Sequence, residues 1–240
     1  MQDKINKMFS KVSGSYDFIN HLMSFNIDKN WRRACAEQAL SGAGDKLKIL
    51  DIAAGTGDLS ITVAETAASK GKTATIYASD FNKEMLGIAK KKISSMGLAE
   101  CIKTEEGNAF EINHHSGTID VLTSGFALRS FFFSDGTGKN MKKFLSEAYR
   151  VLKPGGRTVL LDMALPDNPS QKAFFRVYSN FMLFVGAFVD RETYGWLVKT
   201  ITEFDKKLLK SMMEKEGFRN VKIISLKSGI AYLAYGEKHS

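Results

Sequence analysis

The feature that most constrains this chain is an alternation of short apolar runs with longer amphipathic stretches, without any internal repeat. Short apolar runs are typical of buried strands and amphipathic stretches of helices, so the alternation predicts an α/β fold. The predicted strands are Lys48–Ala53, Thr75–Ser79, Ile102–Glu106, Ile119–Ser124 and Arg157–Met163. The predicted helices between them are Asp58–Ser69, Lys83–Met96 and Lys139–Leu152, the last ending before a Pro-Gly-Gly turn.

The chain changes character after Met163. Residues 174–189 are apolar and aromatic, Asp205–Gly217 reads as an amphipathic helix, and two alternating segments flank Ser228-Gly229 as a hairpin. We therefore predict one domain over residues 1–240, with a doubly wound, mostly parallel seven-stranded sheet and a C-terminal antiparallel hairpin. Its predicted parts are a helical lid at 1–40, a core at 45–165, an apolar insert at 166–204, and a helix with the hairpin at 205–240.

Composition excludes several classes of protein. The chain has only two cysteines, Cys35 and Cys101, which form no paired motif, so a disulfide scaffold and a structural zinc site are not expected. No apolar run approaches the ~20 residues of a membrane span, and the first residues lack the apolar core of a signal peptide. We therefore expect a cytoplasmic protein. We also expect no metal, since His114-His115 has no further ligands at recognisable spacing.

The charge balance favours anionic partners. With 34 Lys and Arg against 26 Asp and Glu, the formal net charge is +8. A basic surface attracts nucleic acid, anionic lipid or acidic metabolites. The basic residues are spread along the chain, as on solvated helix faces, and no appended RNA module or pair of catalytic cysteines is present, so nucleic acid is not the expected partner.

A glycine turn between the first strand and the first core helix carries the strongest chemical signal. The glycines of Asp51–Leu59 (DIAAGTGDL) let backbone N–H groups approach a ligand. Asp80 ends the next strand, where a carboxylate can accept hydrogen bonds from both hydroxyls of a ribose. No Lys follows at phosphate-loop spacing, and Ser60 at the third glycine position makes NAD possible but not favoured. The acidic turn, with Asp51 and Asp58, instead suits a cationic ligand, as S-adenosylmethionine is.

Several segments together resemble the UbiE-type family, the C-methyltransferases of ubiquinone and menaquinone biosynthesis. The segments that carry the resemblance are Phe9–Arg33, Asp51–Leu59, Asp80–Leu86, Gly107–Ala109, Phe126–Arg129 and Tyr149–Gly156. The turn motifs are shared by many methyltransferases, whereas the N-terminal segment and Leu128-Arg129 are specific to this family. The resemblance implies a Rossmann-like fold, S-adenosylmethionine as cofactor, S-adenosylhomocysteine as product, and a prenylated quinol as acceptor.

The resemblance also implies cofactor-binding residues. It places contacts at Thr56, Asp80, Asn108 and Ala109, with the rest of the motifs alongside. Where the family has a serine after the fourth strand this chain has Gly125, so a side-chain contact is lost there. The expected cofactor-binding set is Asp51, Gly55, Thr56, Gly57, Asp80, Phe81, Asn108, Ala109 and Gly125.

Methylation of a ring carbon requires a nucleophilic ring, which a quinol becomes when a hydroxyl loses its proton. We predict that Arg129 stabilises the phenolate charge and that a carboxylate, Glu111 or Asp162, takes the proton directly or through water. The alternative for Arg129 is an ion pair with a surface carboxylate. The family's Gly-Leu-Arg-Asn reads Ala127-Leu128-Arg129-Ser130 here, with a shorter last side chain.

The acceptor is expected between the N-terminal lid and the apolar insert. The predicted substrate-binding residues are Tyr16, Asp17, Asn20, Arg32, Arg129 and Tyr178. Residues 174–189 would hold a prenyl tail, and basic charge beside an apolar insert suits peripheral contact with the inner face of an anionic membrane. A buried core helix and a homodimer face are the alternatives for this stretch.

Other functions stay open at this point. A methyltransferase could act on another lipid, a small phenol or amine, or RNA, and salt-dependent RNA binding would favour the last. The chain could also bind the cofactor without catalysing transfer. A dehydrogenase would bind NAD and not S-adenosylmethionine.

Overall fold

A computed structural model describes residues 26–189, 191–227 and 229–239. Within these residues the chain forms a seven-stranded sheet flanked by eight helices. The strands are β1 (Lys46–Ile52), β2 (Thr73–Asp80), β3 (Ile102–Glu106), β4 (Ile119–Gly125), β5 (Leu152–Met163), β6 (Arg219–Ser225) and β7 (Ala231–Glu237). The helices are α1 (Ile27–Leu40), α2 (Asp58–Ser69), α3 (Lys83–Ser95), α4 (Leu128–Phe133), α5 (Lys139–Val151), α6 (Pro169–Val189), α7 (Arg191–Glu203) and α8 (Lys206–Lys215).

The strand order is β3-β2-β1-β4-β5-β7-β6. The first five strands pair in parallel, while β7 runs antiparallel to both of its neighbours, β5 and β6. The order reverses between β1 and β4, and ligands of doubly wound sheets bind outside the carboxyl ends of strands at such a reversal. The predicted fold class, including the C-terminal antiparallel hairpin, is confirmed.

Helices cover the sheet on both faces, which explains why most residues of its central strands β1 and β4 are buried. On one face α1, α2 and α3 pack through residues such as Trp31, Ala64 and Ile93. On the other face α4, α5 and α8 pack through residues such as Phe144 and Met213. The hydrophobic core of the sheet therefore consists of two clusters, one on each face.

The start of β5 differs from the sequence prediction. The strand begins at Leu152 and passes through the Pro-Gly-Gly turn, whereas Arg157 was expected to begin it. The register against β4 shifts between Ile119 and Val121, so the turn is a bulge within the pairing. Gly156 permits this bulge, because a Cβ there would lie 2.9 Å from the carbonyl oxygen of Lys153.

Residues 166–204, predicted as an apolar insert, contain α6 and α7. Phe175 of α6 and Ile201 of α7 are fully buried together with Ile230, which precedes β7. The linker from β5 is hydrogen-bonded to α7 and to the segment before β7. Leu165 N–H donates to Ile201 O (3.0 Å), and Ala164 N–H donates to Ile230 O (2.9 Å). No helix of the described residues is long and apolar enough to cross a membrane.

Candidate active site

The glycine turn after β1 is shaped by three residues with positive φ. Ala53 (φ 55), Gly55 (φ 56) and Gly57 (φ 84) turn the chain from the strand into α2. Gly57 also passes close to α3, since a Cβ at this position would lie 3.2 Å from Ala89 Cβ. Glycine is required at position 57 for both conformation and space, which explains the spacing of the motif.

Asp80, at the end of β2, holds this turn in place. Its carboxylate accepts hydrogen bonds from Gly55 N–H and Asn82 N–H, both at 2.8 Å. The side chain is buried, and burial raises the pKa of Asp80 against the lowering effect of these N–H donors. Asp80 thus joins the turn after β1 to the turn after β2.

Asp51 lies fully buried in β1, directly before the turn. Its carboxylate accepts hydrogen bonds from Ser60 Oγ (2.6 Å) and Thr123 Oγ1 (2.9 Å). Burial raises the pKa of Asp51 to about 6, although both hydroxyls lower it. The sequence analysis did not assign these two hydroxyls as partners of Asp51; a polar Thr123 inside the apolar fourth strand was the available signal.

The turn after β3 brings Gly107, Asn108 and Ala109 to the same edge of the sheet. Gly107 N–H donates to Asp80 O (3.0 Å), and a Cβ on Gly107 would lie 2.2 Å from Ser79 Oγ. Asn108 Oδ1 caps this turn by accepting from Phe110 N–H at 2.9 Å. Phe81 stands at this edge with 44% of its surface exposed.

Arg129 is the second residue of α4, after the fourth strand, and is only 3% exposed. Its Nε donates to Asp162 Oδ1 (2.7 Å), its backbone N–H donates to Asp162 Oδ2 (3.0 Å), and Nη1 donates to Thr200 Oγ1 (3.1 Å). Asp162, on β5, is fully buried and also accepts from Met163 N–H at 2.7 Å. Arg129 therefore forms the ion pair expected as its alternative role, but its partner is a buried carboxylate. A further hydrogen bond joins Arg129 to Thr200 on α7.

Arg32, predicted to bind substrate, lies on α1 and packs against Phe126, the residue that follows β4. It forms ion pairs with Asp28 and Asp58, and its guanidinium stands 5.4 Å from the ring centroid of Phe126. Trp31 contacts the same ring at 6.3 Å between centroids. The described part of the predicted lid thus packs beside Gly125, where a Cβ would lie 3.3 Å from Leu59 Cδ2.

A groove of about 780 Å³ lies between α1, α2 and α3. Arg32, Asp58 and Lys92 line it, and Lys92 Nζ lies 2.6 Å from Asp58 Oδ1. Neither residues 51–57 nor Asp80 line it, so this groove is separate from the strand-end site and shares only Asp58 with the glycine turn.

The predicted residues fall into groups. The turns after β1, β2 and β3 bring the expected cofactor residues together, while Arg129 and Asp162 form a second group beside α7. Glu111 is exposed in the turn after β3, where its N–H donates to Asn108 O (3.1 Å), and in the described part of the chain no hydrogen bond joins it to Arg129. Tyr178 on α6 is half-buried, whereas Tyr16, Asp17 and Asn20 lie outside the described residues.

Two solved structures of methyltransferases share this architecture. A putative S-adenosyl-L-methionine-dependent methyltransferase from Methanococcus maripaludis has a TM-score of 0.66 and 22% identity, covering 96% of this chain and 93% of that one. A SAM-dependent methyltransferase from Aquifex aeolicus has a TM-score of 0.57 and 18% identity, covering 84% of this chain and 88% of that one. The fold is the Rossmann-like fold of S-adenosylmethionine-dependent methyltransferases.

Relatives by sequence narrow this class. The model of the ubiE/COQ5 methyltransferase family matches residues 1–238. A demethylmenaquinone methyltransferase of Lactobacillus johnsonii is 34% identical, over 98% of this chain and 92% of its own length. The ubiquinone/menaquinone biosynthesis C-methyltransferase UbiE of Geotalea uraniireducens is 33% identical, over 98% of this chain and 97% of its own length. This chain belongs to the ubiE/COQ5 methyltransferase family, which confirms the resemblance stated from the sequence.

Proposed function

We propose that this enzyme transfers a methyl group from S-adenosylmethionine to a ring carbon of a prenylated quinol, either demethylmenaquinol or a ubiquinol precursor. The observation that carries the proposal is the family match over residues 1–238. The relatives named above act in menaquinone and ubiquinone biosynthesis, which supports a quinol as acceptor.

The residues at the strand ends fit S-adenosylmethionine. Gly55, Thr56 and Gly57 would line the amino-acid part of the cofactor, and Asp80 would accept from the ribose hydroxyls. Gly107 keeps the turn after β3 close to Ser79 at the end of β2, because a Cβ there would lie 2.2 Å from Ser79 Oγ. Phe81, Asn108 and Ala109 would then surround the adenine, and Gly125 would leave the methyl side open.

The buried charge of Asp51 supports the same assignment. Burial raises the pKa of Asp51 to about 6, so a cation that binds nearby stabilises its ionised form. The cofactor supplies an electrophilic methyl group on a sulfonium, and its ammonium is a second positive charge. We propose that Asp51 attracts this charge through the turn, while Ser60 and Thr123 keep the carboxylate oriented.

The polar cluster around Arg129 would act on the acceptor. The ion pair with Asp162 and the bond to Thr200 fix the guanidinium, so it would meet a quinol hydroxyl without rearranging and stabilise the phenolate. Because Asp162 already accepts from Arg129 and Met163, we assign it to holding Arg129. The exposed Glu111 is the remaining candidate for taking the proton, directly or through water.

The acceptor's tail would run beside α6, near Tyr178. Tyr178 contacts Phe175 at 6.4 Å between ring centroids, and burial raises the pKa of Tyr178 to about 12. Its hydroxyl therefore stays protonated at neutral pH and can donate a hydrogen bond. Arg32 would support the lid, and contributions of Tyr16, Asp17 and Asn20 stay predictions, as do membrane contact, a cytoplasmic location and a homodimer.

An anaerobic transfer assay tests the proposed function. Enzyme, methyl-labelled S-adenosylmethionine and detergent-dispersed demethylmenaquinone or a demethylated ubiquinone precursor are incubated with and without reductant. We expect label in one ring only when the quinone is reduced, since only the quinol can become a phenolate. Cofactor binding without transfer to either quinol would reject the quinol and favour another acceptor.

A further inference from the structure

Tyr232 on β7 carries a buried hydroxyl that the proposed function does not use. The side chain is 1% exposed, and its hydroxyl makes no hydrogen bond with any of the described residues. A buried phenol hydroxyl usually has a partner, because an unpaired polar group in the interior lowers stability. The position of this hydroxyl therefore requires an explanation.

Aromatic neighbours hold the ring of Tyr232 in one place. It stacks on Phe204, the residue that follows α7, with 6.2 Å between ring centroids and 20° between ring planes. Phe204 in turn meets Phe132 of α4 edge-on, at 5.7 Å between centroids. Because packed rings surround it, the hydroxyl cannot swing to a distant partner and must be satisfied where it lies.

The ion pair of Arg129 and Asp162 is close to this hydroxyl. Tyr232 lies directly opposite Asp162 in the antiparallel pairing of β5 and β7, so both side chains leave the same face of the sheet. Burial raises the pKa of Tyr232 well above its usual value, the charge of Asp162 raises it further, and the charge of Arg129 lowers it. The phenol therefore stays protonated and can donate a hydrogen bond.

The carboxylate of Asp162 can accept one more hydrogen bond. Its Oδ1 accepts from Arg129 Nε and Met163 N–H, whereas Oδ2 accepts, among the described residues, only from Arg129 N–H. A carboxylate has about four lone-pair sites, so one site on Oδ2 is left. A water molecule between Oδ2 and the Tyr232 hydroxyl would use this site and satisfy the phenol, as buried waters do for polar groups without a partner.

We propose that Tyr232 is a positioning residue for methyl transfer, whose hydroxyl holds the carboxylate of Asp162 through one buried water. The inference rests on the proposed function, in which Arg129 stabilises the phenolate. Nε and Nη1 of Arg129 donate to Asp162 and Thr200, whereas Nη2 makes no hydrogen bond with the described residues. A fixed Asp162 keeps the guanidinium plane fixed, and Nη2 is then the nitrogen left to meet the acceptor oxygen.

Removal of the hydroxyl distinguishes this role from a phenol that only fills space. If the hydroxyl has no partner, Tyr232→Phe removes an unsatisfied polar group and raises the midpoint of thermal unfolding. If the hydroxyl donates to a bound water, the same change removes a hydrogen bond and lowers the midpoint. Tyr235→Phe is the matched control for transfer, because Tyr235 lies on the same strand, packs on the opposite face of the sheet and donates its hydroxyl to Glu237.

Crystallography and transfer kinetics of the unaltered enzyme and the two variants test the inference. We expect an ordered water within hydrogen-bond distance of Tyr232 Oη and Asp162 Oδ2. This water should persist in Y235F and be lost in Y232F. In Y232F, kcat for the quinol should fall about tenfold or more, with the Kd for S-adenosylmethionine unchanged, because the turns at the strand ends are intact. Y235F should transfer at the normal rate.

Failure of this inference can be told apart from failure of the proposed function. The water and the unfolding midpoint are measured without an acceptor, so they report on the Tyr232 hydroxyl even if the unaltered enzyme transfers no methyl group to a quinol. Absence of the water, a raised midpoint in Y232F or a normal kcat in Y232F would overturn the inference while quinol transfer by the unaltered enzyme stands. An equal loss of kcat in Y232F and Y235F would also overturn it, since the loss would then be a general effect of altering β7.

Discussion

At the scale of single residues, the buried pair of Arg129 and Asp162 has a structural role, to which the proposed function adds a chemical one. Breaking a buried ion pair leaves an uncompensated charge, which costs more than the pair itself contributes. A simple truncation of Arg129 would therefore destabilise the fold and obscure any effect on catalysis. Variants that keep the backbone hydrogen bonds accepted by the side chain at position 162 can separate the two roles.

We predict that Asp162→Asn alone lowers the free energy of unfolding by about 3–5 kcal/mol, because Arg129 stays buried without its partner. The double variant R129M/D162N should recover most of this loss, since the amide oxygen introduced at position 162 can still accept a backbone N–H. Urea denaturation measures both values. If Arg129 acts on the acceptor, the double variant binds the cofactor normally but transfers far more slowly. A stable double variant with full transfer would limit Arg129 to a structural role.

At the scale of secondary-structure elements, the junction of β4 and β5 depends on backbone space. Gly156 is buried, and carbonyl oxygens of Lys153, Asp120 and Ile119 all lie within 3.2 Å of the position of a Cβ. Gly156 O also accepts from Lys238 N–H at 2.8 Å, which links the bulge to the end of β7. These neighbours are backbone atoms, so they cannot swing away as a side-chain end would.

Gly156→Ala should lower the free energy of unfolding by about 1–3 kcal/mol, because the bulge must open to admit a methyl group. Gly44→Ala is the matched control, as neither glycine has positive φ and a Cβ on Gly44 meets nothing within 4 Å. The control should change stability by less than about 1 kcal/mol. Chemical denaturation of the two variants side by side measures the difference, and equal effects would contradict the role of the bulge.

The extent to which the sequence predicts these elements follows from how local their causes are. The bounds of β3 and α2 were predicted correctly, and for α2 the cause is local, because the glycine turn that precedes it acts over a few residues. The start of β5 was missed, because its bulge depends on β4. The bond between Arg129 and Thr200 joins residues 71 positions apart, and nothing local marks Thr200. The turns at the strand ends were predictable because their causes are local in sequence. The contacts of α7 were not, because they join residues far apart in the chain.

At the scale of the whole molecule, the site at the strand ends is linked to global stability. A ligand that binds only the folded chain stabilises it, by about 2.7 kcal/mol at about a hundredfold excess over Kd. Asp51 couples this gain to pH. Without ligand, the raised pKa of Asp51 means that its buried charge lowers the free energy of unfolding above about pH 6. Protonation of Asp51 removes this loss as the pH falls.

The stabilisation by S-adenosylmethionine should therefore decrease as the pH falls below about 6, because binding of a cation must then displace the proton of Asp51. Thermal unfolding with and without cofactor over a pH series measures this gain. Asp51→Asn should reduce the gain and flatten its pH dependence in this range. NAD, added at the same concentration, should not stabilise the chain, and a gain independent of pH would contradict the role of Asp51.

The position of β7 in the sheet has a consequence for how the protein is made. β7 comes last of the seven strands in chain order, yet it lies between β5 and β6, and β6 pairs with no other strand. On a ribosome, β5 would therefore present an open edge, and β6 would have no neighbour, until residues 231–237 emerge. An open edge can pair with other chains, so we expect the newly made chain to be most prone to such pairing before β7 inserts between β5 and β6.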